Sequence, residues 1–396
     1  MSHTVRMLRS LRPRLPLALL LLPLLPACAT VPAAAPQSDP DLSWVLSGAG
    51  LPPPADAAPL EDPATLMRVS PEMHRFAVDA TIGKFGTSRK VEALVDGLAE
   101  GRGHGLHLAY DASATLTAQQ AFEQRRANCL SYTLLFVALA RDVGIPVDFN
   151  DVQIPPIWDL GDNRTSLLYR HLNVRVEMAP PLYQVVDVSG DEYDPSFTQH
   201  QISDEEAEAQ YYNNRAMELL LQQRRPESLR YELRALQLAP KAPYLWINLA
   251  VVYLRDDRVR AARIAVDRGL ALDRSSQLGY ETAAQVYTAL HQDELARRYQ
   301  QLAQEFLDRN PYYHYQLALA ALDRHDERLA YDETRRAIEL RQEEPRFFFL
   351  LALLDDRRGE PAEAYDSMRT VLQLTRDPSQ QERYRSKFAR LKEQQG

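Results

Sequence analysis

Three residues of this chain have types and spacings suited to nucleophilic chemistry. Cys129 heads the stretch NCLSYTLLFVALARDVGIPV (128–147), in which Leu130, Tyr132, Leu134, Leu135, Phe136, Val137 and Leu139 leave no polar side. A helix that is apolar all round is a buried central helix. Gly144, followed by Pro146, sets its end. The thiol therefore falls at a helix N-terminus, where unpaired N–H groups and the helix dipole favour an anion and a thiol becomes a nucleophile. A thiolate still needs a base, and the base needs a group to orient it. Further along, in YRHLNVRVEMAPPLYQVVDVSG (169–190), Leu172, Val174 and Val176 alternate with His171, Asn173, Arg175 and Glu177, and a second β-rich run covers 183–188. This pattern predicts a hairpin. His171 and Asp187 are an even 16 positions apart. Direct opposition puts the hairpin centre at Ala179, inside the Ala-Pro-Pro turn, with the facing Cβ atoms about 5 Å apart. The carboxylate then reaches the imidazole, fixes its tautomer and stabilises its charged form. A slip of one residue would send the two side chains to opposite faces. The competing reading is a free cysteine that is simply a small buried hydrophobe.

These residues need elements to hold them. SPEMHRFAVDATIG (70–83) and SRKVEALVDGLAEG (88–101) each carry a helical apolar stripe and end on glycine, and Thr117 is placed to cap a helix over 118–125. Gln124, five residues before Cys129, is either an amide donor for an oxyanion or a solvated helix glutamine. His104 and His107 lack carboxylate or thiolate neighbours at ligand spacing, so GRGHGLH reads as a flexible loop and no metal site is expected. No phosphate-binding glycine loop is present, and no cofactor is expected.

The order of a cysteine on a helix N-terminus, a histidine on one strand and an aspartate on the next resembles the transglutaminase-like cysteine hydrolases over roughly residues 66–195. The resemblance is carried by RRANCLSYTLLFVALARDVGIPV, RHLNVRV and QVVDVS. It implies Cys129 as nucleophile, His171 as general base and acid, and Asp187 as orienting carboxylate. The family usually has glycine where Asn128 stands and often an aromatic where Asn173 stands. The reaction implied is acyl transfer through a thioester. Water as acceptor makes a peptidase or amidase, an amine makes a crosslink, and hydrolysis of an amide is the expectation. A degenerate fold with an incidental cysteine is the alternative.

The second half is periodic. Units starting at 209, 243, 277, 311 and 345 place Ala216, Ala250, Ala284, Ala318 and Ala352 at their eighth position. Ser228, Ala262, Ala296, Ala330 and Ala364 fall at the twentieth, and Ala235, Gly269, Ala303, Ala337 and Val371 at the twenty-seventh. Small residues at fixed places mark where two helices cross closely. Trp246, Leu249 and Tyr253 fill core places of the second unit, and Pro240, Pro311 and Pro345 punctuate the units. The pattern resembles the tetratricopeptide repeat over 209–378. PSQQERYRSKFARLKEQQG then reads as a polar capping helix with Tyr384, Phe388 and Leu391 on one face. The resemblance implies a groove lined by positions 2, 5, 9 and 12 of each unit. These include Tyr244, Ile247, Val251 and Leu254, then Leu278, Glu281, Gln285 and Thr288, then Tyr312, Tyr315, Leu319 and Leu322. Such a lining suits a peptide or partner helix; equally, it packs internally or against the first domain. The lysine–asparagine carboxylate clamp of chaperone-tail-binding relatives is missing.

The N-terminus addresses the chain. Arg6, Arg9, Arg12 and Arg14 precede an apolar run over 15–26, too short to span a bilayer as a mature helix. The run ends LPAC at Cys28, which resembles a lipobox whose cysteine is lipidated. Ala29 follows, so an outer-membrane anchor facing the periplasm is expected. Removing residues 1–27 takes the formal net charge from −8 to −12, and an acidic chain offers no electrostatic reason to bind nucleic acid. Cys129 is then without a protein partner for a disulfide.

The reading is an α+β transglutaminase-like domain followed by an all-α tetratricopeptide repeat solenoid. Its segments are a signal peptide (1–27), a Pro/Ala-rich extended tether (28–65), the first domain (66–202), five repeats (203–378) and a cap (379–396). Two functions remain open. One is an envelope lipoprotein that hydrolyses amide bonds while its repeats recruit a protein substrate or partner. The other is a non-catalytic scaffold that assembles envelope proteins.

Overall fold

The computed structural model describes residues 40–51, 58–99, 105–154, 170–178, 182–187, 197–375 and 378–393. The chain enters through α1 (Pro40–Leu46), the single turn α2 (Pro63–Leu66), α3 (Pro71–Thr81) and α4 (Thr87–Leu98). Ser70 caps α3 by accepting from the Met73 N–H, with Pro71 at the first helical position. Strand β1 (Ala109–Tyr110) pairs in parallel with β2 (Arg126–Ala127), and α5 (Ala118–Gln124) lies between them in sequence. Thr117 and Gln120 close a reciprocal capping box at the start of α5.

Helix α6 (Cys129–Asp142) is the centre of this region, and every residue from Leu130 to Ala140 is buried. Asn128 caps its start, and Gly144 (φ 72°) turns the chain away after its end. It lies against β3 (Val147–Val152) and β4 (His171–Glu177), and the Thr133 hydroxyl donates to the Leu172 carbonyl at 3.1 Å. With β5 (Tyr183–Val186) and β6 (Gln199–Ile202) these strands form an antiparallel sheet in the order β5-β4-β3-β6.

The remainder is five helix hairpins and a last helix. The pairs are α7 (Asp204–Leu221) with α8 (Arg225–Leu238), α9 (Pro243–Arg255) with α10 (Val259–Leu272), and α11 (Gln277–Ala289) with α12 (Asp293–Asp308). Then follow α13 (Pro311–Asp323) with α14 (Glu327–Leu340), α15 (Pro345–Arg357) with α16 (Pro361–Leu374), and α17 (Pro378–Glu393). The small residues at the eighth, twentieth and twenty-seventh positions are all buried. At Gly269 the reason is direct: an added Cβ would sit 2.4 Å from Ile247 Cδ1 and 3.2 Å from the Pro243 carbonyl oxygen. The last helix packs Tyr384, tilted, and Phe388, edge-on, against Phe349, with ring centroids 5.3 and 6.4 Å apart.

Each hairpin turns through one left-handed residue, and these recur every 34 positions: Gln223 (φ 63°), Asp257 (54°), His291 (57°), His325 (61°) and Gly359 (75°). The next N–H in each case donates to the carbonyl five residues back, as Arg224 does to Leu219 and Gln292 to Tyr287. This is a Schellman stop, repeated with four different residue types. Only Gly359 is the residue type usual at such a turn.

The expectation of an extended tether over 28–65 is corrected for its described part. Residues 40–51 form α1 and a following turn packed on the second hairpin. Val45 is fully buried, its carbonyl accepts from the Tyr253 hydroxyl, and Trp44 stacks on Arg260. Residues 58–62 cross the first hairpin: Arg230 donates to the Ala58 carbonyl, Tyr212 to the Glu61 carbonyl and Tyr231 to the Glu61 carboxylate. Average composition suggested a loose segment, but two apolar side chains and four side-chain donors hold it down. The residues of the signal region, Cys28 included, lie outside the described residues. Among the described residues no helix is long and apolar enough to cross a membrane.

Replacing His291 by glycine removes a Cβ from a left-handed position. It is expected to stabilise the protein by about 0.5 kcal/mol, whereas Gly359→Ala should cost about 1 kcal/mol. Thermal unfolding of the two variants reads the opposite signs; shifts of the same sign would overturn the account of these turns.

Candidate active site

Cys129 is the first residue of α6 and is half-buried, with no disulfide. Its placement is fixed by polar contacts on both sides. Asn128, where the resemblance called for glycine, is the cap: its side-chain oxygen accepts from the Ser131 N–H (2.9 Å) and its amide donates to the Thr115 hydroxyl (2.8 Å). The Ser131 hydroxyl donates to the Ala114 carbonyl (2.8 Å) and accepts from the Leu116 N–H (2.7 Å). The loop so gripped is also held by the repeats, since the Thr115 N–H donates to Glu218 of α7 at 3.3 Å. At the other end of α6, Arg141 makes two hydrogen bonds to Asp204 of α7, at 2.7 and 3.0 Å.

His171 opens β4, and Asp187 immediately follows β5. The imidazole Nε2 and the Asp187 Oδ2 are 2.6 Å apart, and the two side chains are only 7 and 6 % exposed. The Cys129 thiol lies close enough to the same ring to favour its charged form, and with Nε2 turned to Asp187, Nδ1 is the nitrogen left for the sulfur. The three residues expected to act together are thus brought together.

Their register differs from the expectation. Val174 pairs with Val186 and Glu177 with Tyr183, so Asp187 stands across from Asn173, and His171 is its diagonal neighbour. The hairpin is centred one residue beyond Ala179; the turn residues 179–181 lie outside the described residues. Parity is kept, so His171 and Asp187 still share a face. The residue directly opposite Asp187 is the one at which the resemblance called for an aromatic. Asn173 is fully buried and donates to Asp187 Oδ2 at 2.9 Å. A phenylalanine there could make no such bond.

Burial opposes a charged His171, but the hydrogen bond to Asp187 and the contact with Cys129 outweigh it, and its pKa is pushed up to about 10. Burial, together with the Asp187 charge, raises the Tyr132 phenol. Gln124 is not part of this arrangement. It is exposed, and its oxygen accepts from Arg126 at 3.1 and 3.2 Å. Among the described residues no group of three or more His, Cys, Asp and Glu is placed to hold a metal ion.

The expected groove is largely taken up by the chain itself. Ile247 is fully buried and Val251 is 8 % exposed, so neither lines an open surface. Tyr244 is covered by Arg170 of the first domain, 5.1 Å from the ring centroid. Arg170 in turn makes a two-point ion pair with Asp151, a carboxylate only 1 % exposed that also accepts from Gln210 of α7 (3.3 Å). Phe197 packs on Arg346 of α15 at 4.8 Å, and Arg346 also lies over Tyr312 at 5.2 Å. Tyr312 and Tyr315 are half-buried against Phe347, and Leu319 is 38 % exposed. Period and family geometry locate helix faces, but they carry no information about which face the preceding domain covers.

No family model matches the chain, and no curated protein matches it. Among solved structures it is similar to YrrB, described as a TPR protein with an unusual peptide-binding site, at 16 % identity and TM-score 0.24, covering 44 % of this chain and 91 % of that one. It is also similar to a MamA fragment from Desulfovibrio magneticus RS-1, at 18 % identity and TM-score 0.24, covering 42 % and 94 %. The repeat architecture rests on the helix pairs and their 34-residue turns described above.

The partners of His171 hold its charged form. The stability this adds is full below its ordinary pKa of 6.5 and is lost as pH rises through about 10. Its ring resonances should therefore stay those of an imidazolium through pH 8, and Asp187→Asn should bring the transition down towards or below 6.5. Titration near 6.5 in the unmodified protein would refute the ion-pair geometry.

Proposed function

We propose that this chain is a thiol-dependent hydrolase of amide bonds, with a transglutaminase-like domain over 66–202 and a tetratricopeptide array that presents a protein or peptide substrate. The single observation that carries the reading is the 2.6 Å contact between two buried side chains, His171 and Asp187, with the Cys129 thiol close enough to favour the charged ring. Purely structural cysteines do not require a buried imidazole–carboxylate pair beside them.

The roles are those the resemblance implies, and the His171–Asp187 contact supports them. Cys129 sulfur attacks the acyl carbon, and its proton is carried by His171. When the C–N bond breaks, His171 returns that proton to the leaving amine and a thioester remains. Water, giving its proton to His171, then attacks the thioester, and the carboxylic acid leaves with the thiol restored. Asp187 stabilises the imidazolium at each stage and keeps the ring turned towards the sulfur. The backbone N–H at the start of α6 is the donor available for the developing oxyanion. An amine in place of water would turn the same site to crosslinking.

A second reading is a scaffold, favoured by the hairpin array and by the partly open Tyr312, Tyr315 and Leu319 surface. Iodoacetamide separates the two. Cys129 should be alkylated at pH 7 faster than free cysteine, and His171→Ala should remove the advantage. Equal rates before and after that change, with full rescue of a null strain by Cys129→Ala, would leave the scaffold reading.

We also propose that Cys28 carries a lipid anchor in the bacterial envelope, with the protein facing the periplasm at the outer membrane. Cys28→Ala should leave an unprocessed precursor, detected as a slower band. Normal cutting and release of that variant would exclude the anchor.

A further inference from the structure

Asp187 is not held by His171 alone. Its Oδ2 accepts from His171 Nε2 (2.6 Å) and from Asn173 Nδ2 (2.9 Å). Asn173 Oδ1 accepts from Asn150 Nδ2 (2.7 Å), and the same Nδ2 donates to Gln199 Oε1 (2.8 Å). Asn150 and Asn173 are register partners in β3 and β4, and Gln199 is the diagonal neighbour of Asn150 in β6. The carboxylate at the end of β5 and three amides thus run across all four strands in one row.

The row has a direction. An ionised carboxylate accepts and cannot donate. Asn173 must therefore turn its N–H₂ to Asp187, which turns its carbonyl to Asn150. Asn150 must then donate, and it uses both of its N–H bonds, on Asn173 and on Gln199. Rotating any one amide by half a turn would set oxygen against oxygen or N–H against N–H inside the sheet. Asn150 is 2 % exposed and Asn173 is fully buried, so water cannot make good such a mismatch cheaply. A carboxylate on its own turns easily about its last torsion; here the oxygen that meets His171 is pinned by a second donor.

We propose that Asn173 is a positioning residue for the triad, oriented by Asn150 and Gln199, so that four strands jointly aim the Asp187 oxygen at the His171 ring. The proposal rests on the hydrolase reading only for its purpose; the positioning itself is readable without turnover. Among the described residues, the charged or titratable groups that act on His171 are Asp187, just after β5, and Cys129 of α6, with Tyr132 of α6 close enough to Asp187 to feel its charge.

The test is the midpoint of the His171 ring titration, read by NMR on the full chain. Asn173→Ala frees the Asp187 oxygen and should lower the midpoint by about one pH unit. Gln199→Leu, at the half-buried edge of the sheet, removes the acceptor at the far end of the row and touches neither His171 nor Asp187. It should move the midpoint in the same direction by a smaller amount. An unchanged midpoint in folded Asn173→Ala overturns the proposal. If Asn173→Ala does not fold, Gln199→Leu decides alone: a lowered midpoint supports the row and an unchanged one overturns it. Cys129 alkylation at pH 7 is recorded alongside. Slow alkylation in the unmodified chain would overturn the hydrolase reading while leaving the titration to judge the row.

Discussion

The contact on which the site depends is the 2.6 Å meeting of His171 and Asp187, and that contact exists because of strand register. Side chains alternate between the faces of a strand, so a slip of one residue between β4 and β5 would put the imidazole and the carboxylate on opposite sides of the sheet. The pairing of Val174 with Val186 and of Glu177 with Tyr183 prevents that slip by keeping the apolar Val174 and Val176 in the core. The same register gives Asp187 a neighbour directly across, Asn173, and carries polar order through Asn150 to the far strand. A buried row of amides is costly unless every member is paired. Here the pairing ends on a carboxylate, which gives the row its direction.

The repeat array is part of this arrangement and not an appendage to it. Helix α7 is tied to both ends of the cysteine helix, through Glu218 at the loop beside Asn128 and through Asp204 at Arg141. A second junction forms where Arg170, the residue before His171, pairs with buried Asp151 and lies over Tyr244. Burial opposes the Arg170 charge, and the Asp151 carboxylate more than offsets it, so the guanidinium is held in its charged form. Truncating Asp151 would take from Arg170 the carboxylate that holds its charge. The first hairpins therefore act as a bed for the first domain, and the surface around Leu319 is the part left partly open.

The repeats show how little sequence a shape can require. Five turns of the same left-handed conformation are made by Gln, Asp, His, His and Gly. The crossing helices hold the ends of each turn so firmly that the usual preference for glycine is overridden. Where the helices approach closely, as between α9 and α10 at Gly269, a larger residue requires Ile247 to shift its side chain, and the position stays small in most units.

The 34-residue spacing of small residues determined the helix hairpins, because two helices cross closely only where side chains are small. The unbroken apolar run determined that α6 is central, and Gly144 and Pro146 marked its end. The even separation of His171 and Asp187 determined that they share a face if they pair at all. Sequence did not determine the register, since the Ala-Pro-Pro turn permits centres one residue apart and only the packing of Val174 and Val186 chooses between them. Nor could it assign Asn173, Asn150 and Gln199 to one row, because polar residues alternating along a strand read the same whether they meet water or one another. Which groove residues stay open was hidden for a related reason: periodicity fixes the face of a helix, while what covers Tyr244 and Ile247 is settled by contacts between segments far apart in the chain. The held-down segment at Val45 was hidden in the same way, since composition averages over a stretch and docking depends on two or three side chains meeting a surface that only the folded protein has.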